Sequence, residues 1–177
     1  ALDREANRTA RRLLLRAIDL EPSLERRFYA ARAAWRLWEL PAASVEMEDV
    51  RTLAESAGER TIEGLALTQL ADIDLNRNAD VARARTLALE ALALLSDAPG
   101  DARSEALTLL SGIGWWGGDL ASVERYMAEA LDIAREAGRA DLESLALSEV
   151  AAAHLARLQL SRADTALEAA AGLATAS

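Results

Sequence analysis

The chain has 177 residues, about half of them apolar, no Cys, and a net charge of −9 in which every basic side chain is Arg. The lack of Cys excludes disulfides and thiolate metal sites, and an acidic surface repels a phosphate backbone, so nucleic-acid binding is not expected. Ala and Leu dominate, Pro occurs three times and aromatics are few, which favours helix because these side chains lose little entropy there.

No apolar run approaches the roughly 20 residues that span a bilayer. The segment Ala1 to Arg16 mixes Arg with Asp3 and Glu5 and has no signal-peptide apolar stretch. It reads as part of the fold, with the cytoplasm as the expected location.

In chain order, the first predicted helix covers about 3–20, with Leu13, Leu14, Ala17 and Ile18 on its apolar side. Its partner helix is missing, so the array starts on half a unit, as a segment cut from a longer protein would. Helix pairs follow at about 23–57, 61–96, 102–137 and 141–174. In the first pair Pro41 is the expected break and Ser44 a candidate cap. The second turns at Asn76 to Asn78, with Asp80 as cap, and closes at Pro99 and Gly100. The third is stopped by Gly117 and Gly118, with Asp119 capping its second helix, and ends at Gly138. The fourth turns near Leu158 to Ser161 and fades into an Ala-rich tail at Ser177.

These pairs repeat. Ala66, Leu67 and Thr68 recur 40 positions on as Ala106, Leu107 and Thr108, and again as Ala146, Leu147 and Ser148. Leu70, Leu110 and Val150 keep the step, as do Ile73, Ile113 and Ala153, with Ala30 and Ala33 before them. The expected fold is all-α, a right-handed α-solenoid of about nine antiparallel helices forming one repeat domain over 1–177. A helix pair cannot bury its apolar face alone and needs stacked neighbours.

The stretch Ala10, Leu14, Ala17, Ile18, Asp19, Leu20, Glu21, Pro22 resembles the close of a tetratricopeptide repeat (TPR). Leu107, Leu110, Gly118, Asp119, Ala130 and Leu131 resemble that family's spaced apolar positions, Gly-Asp turn and Ala-Leu close. The 40-residue period exceeds the family's common 34. Longer units carrying phrases like Trp115, Trp116, Gly117, Gly118, Asp119 resemble the repeats of large bacterial regulators: maltose-regulator-like transcription activators, antibiotic-regulatory proteins and cyclase-linked ATPases. Val123 departs from the small residue usual where the paired helices cross; Ala84 and Ala163 keep it.

The resemblance implies that the first helix of each pair lines a concave groove. Carried over, it places there Phe28, Arg32, Trp35 and Arg36; then Thr68, Asp72, Leu75 and Asn76; then Thr108, Gly112, Trp115 and Trp116; then Ser148, Ala152, Leu155 and Ala156. Trp35, Leu75, Trp115 and Leu155 fall 40 residues apart, a ladder suited to an extended or helical partner segment with Trp as anchor. The competing assignment is packing between neighbouring helices, the commoner fate of large aromatics in such arrays. Trp116, beside two Gly, is the one expected in solvent. Arg32 and Arg36 lie one turn apart and suit a carboxylate or phosphate, although Glu25 and Glu39 are close enough to neutralise them.

His154, the single His, has no carboxylate at helical spacing and is expected to pack between helices rather than bind metal. Asp74 holds the equivalent inward position two units earlier and requires a hydrogen-bond partner there. Gly112 and Gly114 are expected to permit close helix approach. Four Gly around Trp115 and Trp116 lower local stability, so weak amide protection is expected over 113–119.

No nucleophile–His–carboxylate set, metal cluster or nucleotide loop is legible, so neither catalysis nor a cofactor is expected. The expected function is a protein-interaction scaffold in a bacterial multidomain signalling or transcription regulator. Its partner is a protein or peptide segment, another domain of the same polypeptide included. The alternative is a sensing module that binds a small effector in the groove. Self-association through unpaired terminal helices is a further expectation.

Overall fold

The computed structural model describes the backbone of residues 2–176 and the side chains of 4–173. The expected tail at Ser177 lies outside the described residues. Among these, nine α-helices and no strands occur. They fall into two compact units, Ala1–Asp97 and Ala98–Ser177.

The first unit holds α1 (Leu2–Leu20), α2 (Leu24–Arg36), α3 (Leu40–Ala57), α4 (Arg60–Asn78) and α5 (Val81–Leu94). Each helix packs on the next, and α2 also reaches α4. Phe28 and Ala31 of α2, Met47 and Val50 of α3, and Ala66 and Leu70 of α4 form one buried cluster. Ala34, Ala43 and Ile73 form a second, with Trp35 packed against it. Ala at the crossings lets the backbones come close, so few large side chains fill the core. Gly64 is the extreme: a Cβ there would sit 2.7 Å from Leu95 Cγ.

The second unit holds α6 (Gly100–Trp116), α7 (Leu120–Glu136), α8 (Ala140–Ala156) and α9 (Leu160–Ala176). Leu107, Leu110 and Ile113 of α6 and Val123 and Met127 of α7 are buried. Val123 is accommodated by Gly114, whose Cβ would lie 3.0 Å from Val123 Cγ2. The expectation for Gly112 does not hold, since a Cβ there would meet nothing within 4 Å.

The helix starts follow capping chemistry. The Ser23 hydroxyl accepts from Arg26 N at 3.2 Å, Asp80 from Arg83 N at 3.0 Å, and Asp119 from Ser122 N at 3.1 Å. Such caps contribute about 1 kcal/mol each. Two boundaries differ from expectation. Pro41 lies in the first turn of α3, where its missing N–H leaves no helical bond unmade, so Pro41 opens that helix and Ser44 is inside it. Gly100 likewise begins α6 after Pro99 rather than closing the preceding pair.

The turns within the four pairs each pass through the left-handed region. Gly118 does so at φ +69°, but Trp38 (+67°), Ala79 (+52°) and Leu158 (+59°) are not Gly. The turns after α3 and α7 use Gly58 and Gly138.

Candidate functional site

The first helices of the pairs carry the candidate residues, and within each unit the structure sorts them by exposure. In the first unit Phe28 is 2% exposed and belongs to the core. It therefore does not line a groove: Phe28 points between α2, α3 and α4, the opposite of its expected orientation. Thr68 is also buried, its hydroxyl donating to Gly64 O at 2.9 Å. Arg36 and Asn76 are exposed, while Arg32, Trp35, Asp72 and Leu75 are half-buried. The Arg32 guanidinium carbon lies 5.9 Å from the ring centroid of the buried Phe28, a cation–π contact that brings the charge against the core.

Trp35 and Asp72 form the polar centre of this face. Burial pushes the Asp72 carboxyl above its ordinary pKa; the Trp35 indole N–H and the Asn76 amide oppose that. Asn76 Nδ2 donates to Asp72 Oδ1 at 2.8 Å. The indole N–H does not meet hydrogen-bond geometry, so its influence is electrostatic, and the desolvation of Asp72 dominates.

The second unit repeats the motif with better geometry. Trp115 Nε1 donates to Glu149 Oε2 at 3.2 Å, joining α6 to α8. Thr108 and Ser148 are exposed but turn their hydroxyls back to Ser104 O and Ser144 O, both at 2.9 Å. Leu155 and Ala156 are exposed, Gly112 and Ala152 half-buried. Trp116 is 76% exposed. Of the four equivalent positions, Trp35, Leu75 and Trp115 are half-buried and Leu155 is exposed, while Trp116, beside them in sequence, stands in water.

Sequence reading passed over Trp38. It is 62% exposed and sits at the left-handed turn position that Gly118 fills in the third pair. An aromatic there loses both backbone comfort and apolar burial. The signal was available: Trp38 lies 80 positions before Gly118 and 120 before Leu158, in register with the repeat.

The buried polar residues have structural explanations. Asp74 accepts from Asn78 Nδ2 at 2.8 Å, and Arg83 Nε lies 2.8 Å from its other oxygen at an ion-pair distance. That second contact is off hydrogen-bond alignment. His154 is buried as expected, with Nδ1 2.9 Å from Gln159 Oε1 and Nε2 3.9 Å from Glu124, which also accepts from Arg157. The carboxylate facing His154 comes from α7, not from its own helix. Glu39 pairs with Arg11 at 3.6 Å. Among the described residues no group of three His, Asp or Glu is placed to hold a metal, and no helix is long and apolar enough to cross a membrane.

No family model and no curated protein matches the sequence. Solved structures do. BtubC (BKLC) from P. vanneervenii is 19% identical with a TM-score of 0.76, over 98% of this chain and 73% of that one. A Podosopora anserina protein named for kinesin light chain, with nearly identical TPR-like repeats, gives 16% identity over 96% of this chain and 92% of its own. Its two crystal structures have TM-scores of 0.70 and 0.67. At these identities the likeness carries the fold alone: this chain has the all-α fold of the TPR-like repeat proteins.

Proposed function

We propose that the chain is a non-enzymatic interaction module that binds other polypeptides, as part of a bacterial signalling or transcription regulator. The observation that carries this is the exposure of Trp38, in the turn between α2 and α3, and of Trp116, the last residue of α6. A large aromatic in water, one of them in a left-handed turn, is costly for a free monomer and is the residue type that anchors protein interfaces. The structural relatives support the reading, since a light chain is by name one component of a larger protein. The regulator setting rests on the long-period resemblance around Trp115 to Asp119.

A photocrosslinking residue placed at Trp38 or Trp116, with exposed Thr86 of α5 as control, tests this in cells. Discrete polypeptide adducts at the Trp positions and none at Thr86 are expected. Adducts absent everywhere, together with a saturable change of Trp fluorescence on adding small metabolites, would replace the proposal with effector sensing.

A further inference from the structure

The second helices of the four pairs align on Ala43, Ala84, Val123 and Ala163, all fully buried. Three residues on, the same position is Glu46 in α3, Leu87 in α5, Tyr126 in α7 and Ala166 in α9. Glu46 is gripped by Arg11 of α1, Leu87 packs against the core cluster and Tyr126 is buried. Only α9 carries a bare methyl there. Ala169 likewise stands where the other three helices have Asp49, Glu90 and Glu129. The backbones of α7 and α9 do not meet. Between them lies an open cavity of about 540 Å³, with Leu147 and His154 contributed by α8 and Arg135 by α7. Side chains decide whether such a groove is open. In the first unit α4 follows α3 and packs on α2 and α3, yet the space between α1 and α3 is spanned by Arg11, not by α4.

The charges of this cavity are unbalanced. In the first unit Arg83 of α5 lies 2.8 Å from the Asp74 carboxylate of α4. In the alignment above Arg83 becomes Arg162, and two repeats along the first helices Asp74 becomes His154. Both line the cavity. The cation is kept and its carboxylate is lost, so Arg162 has no ion pair among the described residues. No acid lines the cavity, in a chain of net charge −9. The nearby carboxylates are engaged: Glu143 with Arg135 at 2.9 Å, and Glu124 with Arg157 at 2.5 Å, its other oxygen 3.9 Å from His154 Nε2. An unpaired guanidinium beside an apolar hollow is complementary to an organic anion. Glu124 and Glu143 behind it disfavour more than one negative charge.

We infer that the groove between α7 and α9 binds a small organic monocarboxylate. Its carboxylate takes the role on Arg162 that Asp74 plays for Arg83, with the Ser161 hydroxyl as a second donor. Its apolar body lies on Leu147, Ala166 and Ala169. This goes beyond the interaction-module reading and does not depend on it.

The probe is phenylbutyrate, titrated into the isotope-labelled 177-residue chain and followed by amide chemical shifts. Saturable shifts at Leu147 and over 161–169 are expected, with a Kd of about 1 mM for so small a ligand. Phenylbutylamine, with the same body and opposite charge, should leave these amides unmoved, and phenylbutyl phosphate should bind no more tightly than the carboxylate. Arg162→Ala should weaken binding about tenfold. Ala166→Tyr, which copies the residue of α7, should fill the cavity and abolish saturation while circular dichroism stays unchanged. If that variant folds poorly, exposed Ala169→Glu should do the same by restoring an acid. Arg77→Ala, exposed on the first unit, should change nothing.

Shifts that never saturate, an amine that binds as well as the acid, or affinity that survives both Ala166→Tyr and Ala169→Glu overturns the inference. So does a phosphate ester that binds more tightly, which would make this a phosphate site. A capped Glu-Phe peptide that displaces phenylbutyrate at far lower concentration overturns it too, since the carboxylate would then belong to a protein partner. Crosslinking at Trp38 and Trp116 reads the interaction module separately, so either proposal can fail alone.

Discussion

Arg11 of α1 grips Glu46 of α3 with two parallel hydrogen bonds, Nη1 to Oε2 at 2.8 Å and Nη2 to Oε1 at 2.6 Å. Nη1 also donates to Ala30 O of α2 at 2.9 Å. The backbones of α1 and α3 do not otherwise approach, so this one side chain ties three helices together. The Glu46 hydrogen bond is the main reason the Arg11 pKa is raised. Arg11→Met should cost about 1–3 kcal/mol, because a half-buried Glu46 loses a charge-assisted partner. Urea unfolding measures it. A midpoint unchanged from the native chain would mean the pair is solvated enough to contribute nothing.

Trp38→Gly should raise stability and weaken partner capture together. Relieving a left-handed non-Gly residue is worth about 1 kcal/mol, or roughly 2–4 °C in a domain of this size. The indole is mostly in water, so little packing is lost. A thermal scan beside the crosslinking assay separates the effects. A Trp38→Gly chain that melts lower would show the ring to be part of the fold.

Two glycines should respond oppositely to Ala. Gly64→Ala forces a methyl to within 2.7 Å of Leu95 Cγ and should destabilise by about 1–3 kcal/mol through overpacking. Gly112→Ala meets open space inside a helix and should stabilise by roughly 0.5–1 kcal/mol. It should also slow amide exchange over 113–119. Equal melting shifts for the two would contradict the packing described for α4 and α5.

The half-buried Asp72 should make stability pH-dependent. Its folded pKa lies above its unfolded value, so the folded state binds the proton more tightly. This carboxyl therefore favours folding most below the ordinary carboxylate range, and its ionisation costs stability once pH exceeds the folded pKa. Asp72→Asn should gain stability relative to the native chain at pH 7, with the gain vanishing near pH 3. Paired urea titrations at the two pH values measure it, and a constant difference between them would sink the assignment.

Much of the fold was legible because helical packing is periodic. Ala66, Ala106 and Ala146 recur at one step and are all buried, since helices with the same pattern bury the same face within each unit. Asp80 and Asp119 announce their helices locally, as caps need only the next three residues. Phe28 was misjudged because a period of 40 fixes the row a residue occupies but not which way that row faces. Pro41 was misjudged because one residue type both ends helices and begins them.

The sequence by itself determined the all-α class, the repeat and the turns capped by Asp80 and Asp119, because these depend on local propensity and on spacing along the chain. Only the tertiary structure decided that Trp35 and Trp115 are half-buried beside carboxylates, that Trp38 stands in water, and that Arg11 joins α1 to α3. It also decided that Glu124 faces His154 from a neighbouring helix. Those are contacts between residues distant in the chain, set by helix crossing and side-chain volume, for which a linear pattern carries no coordinate.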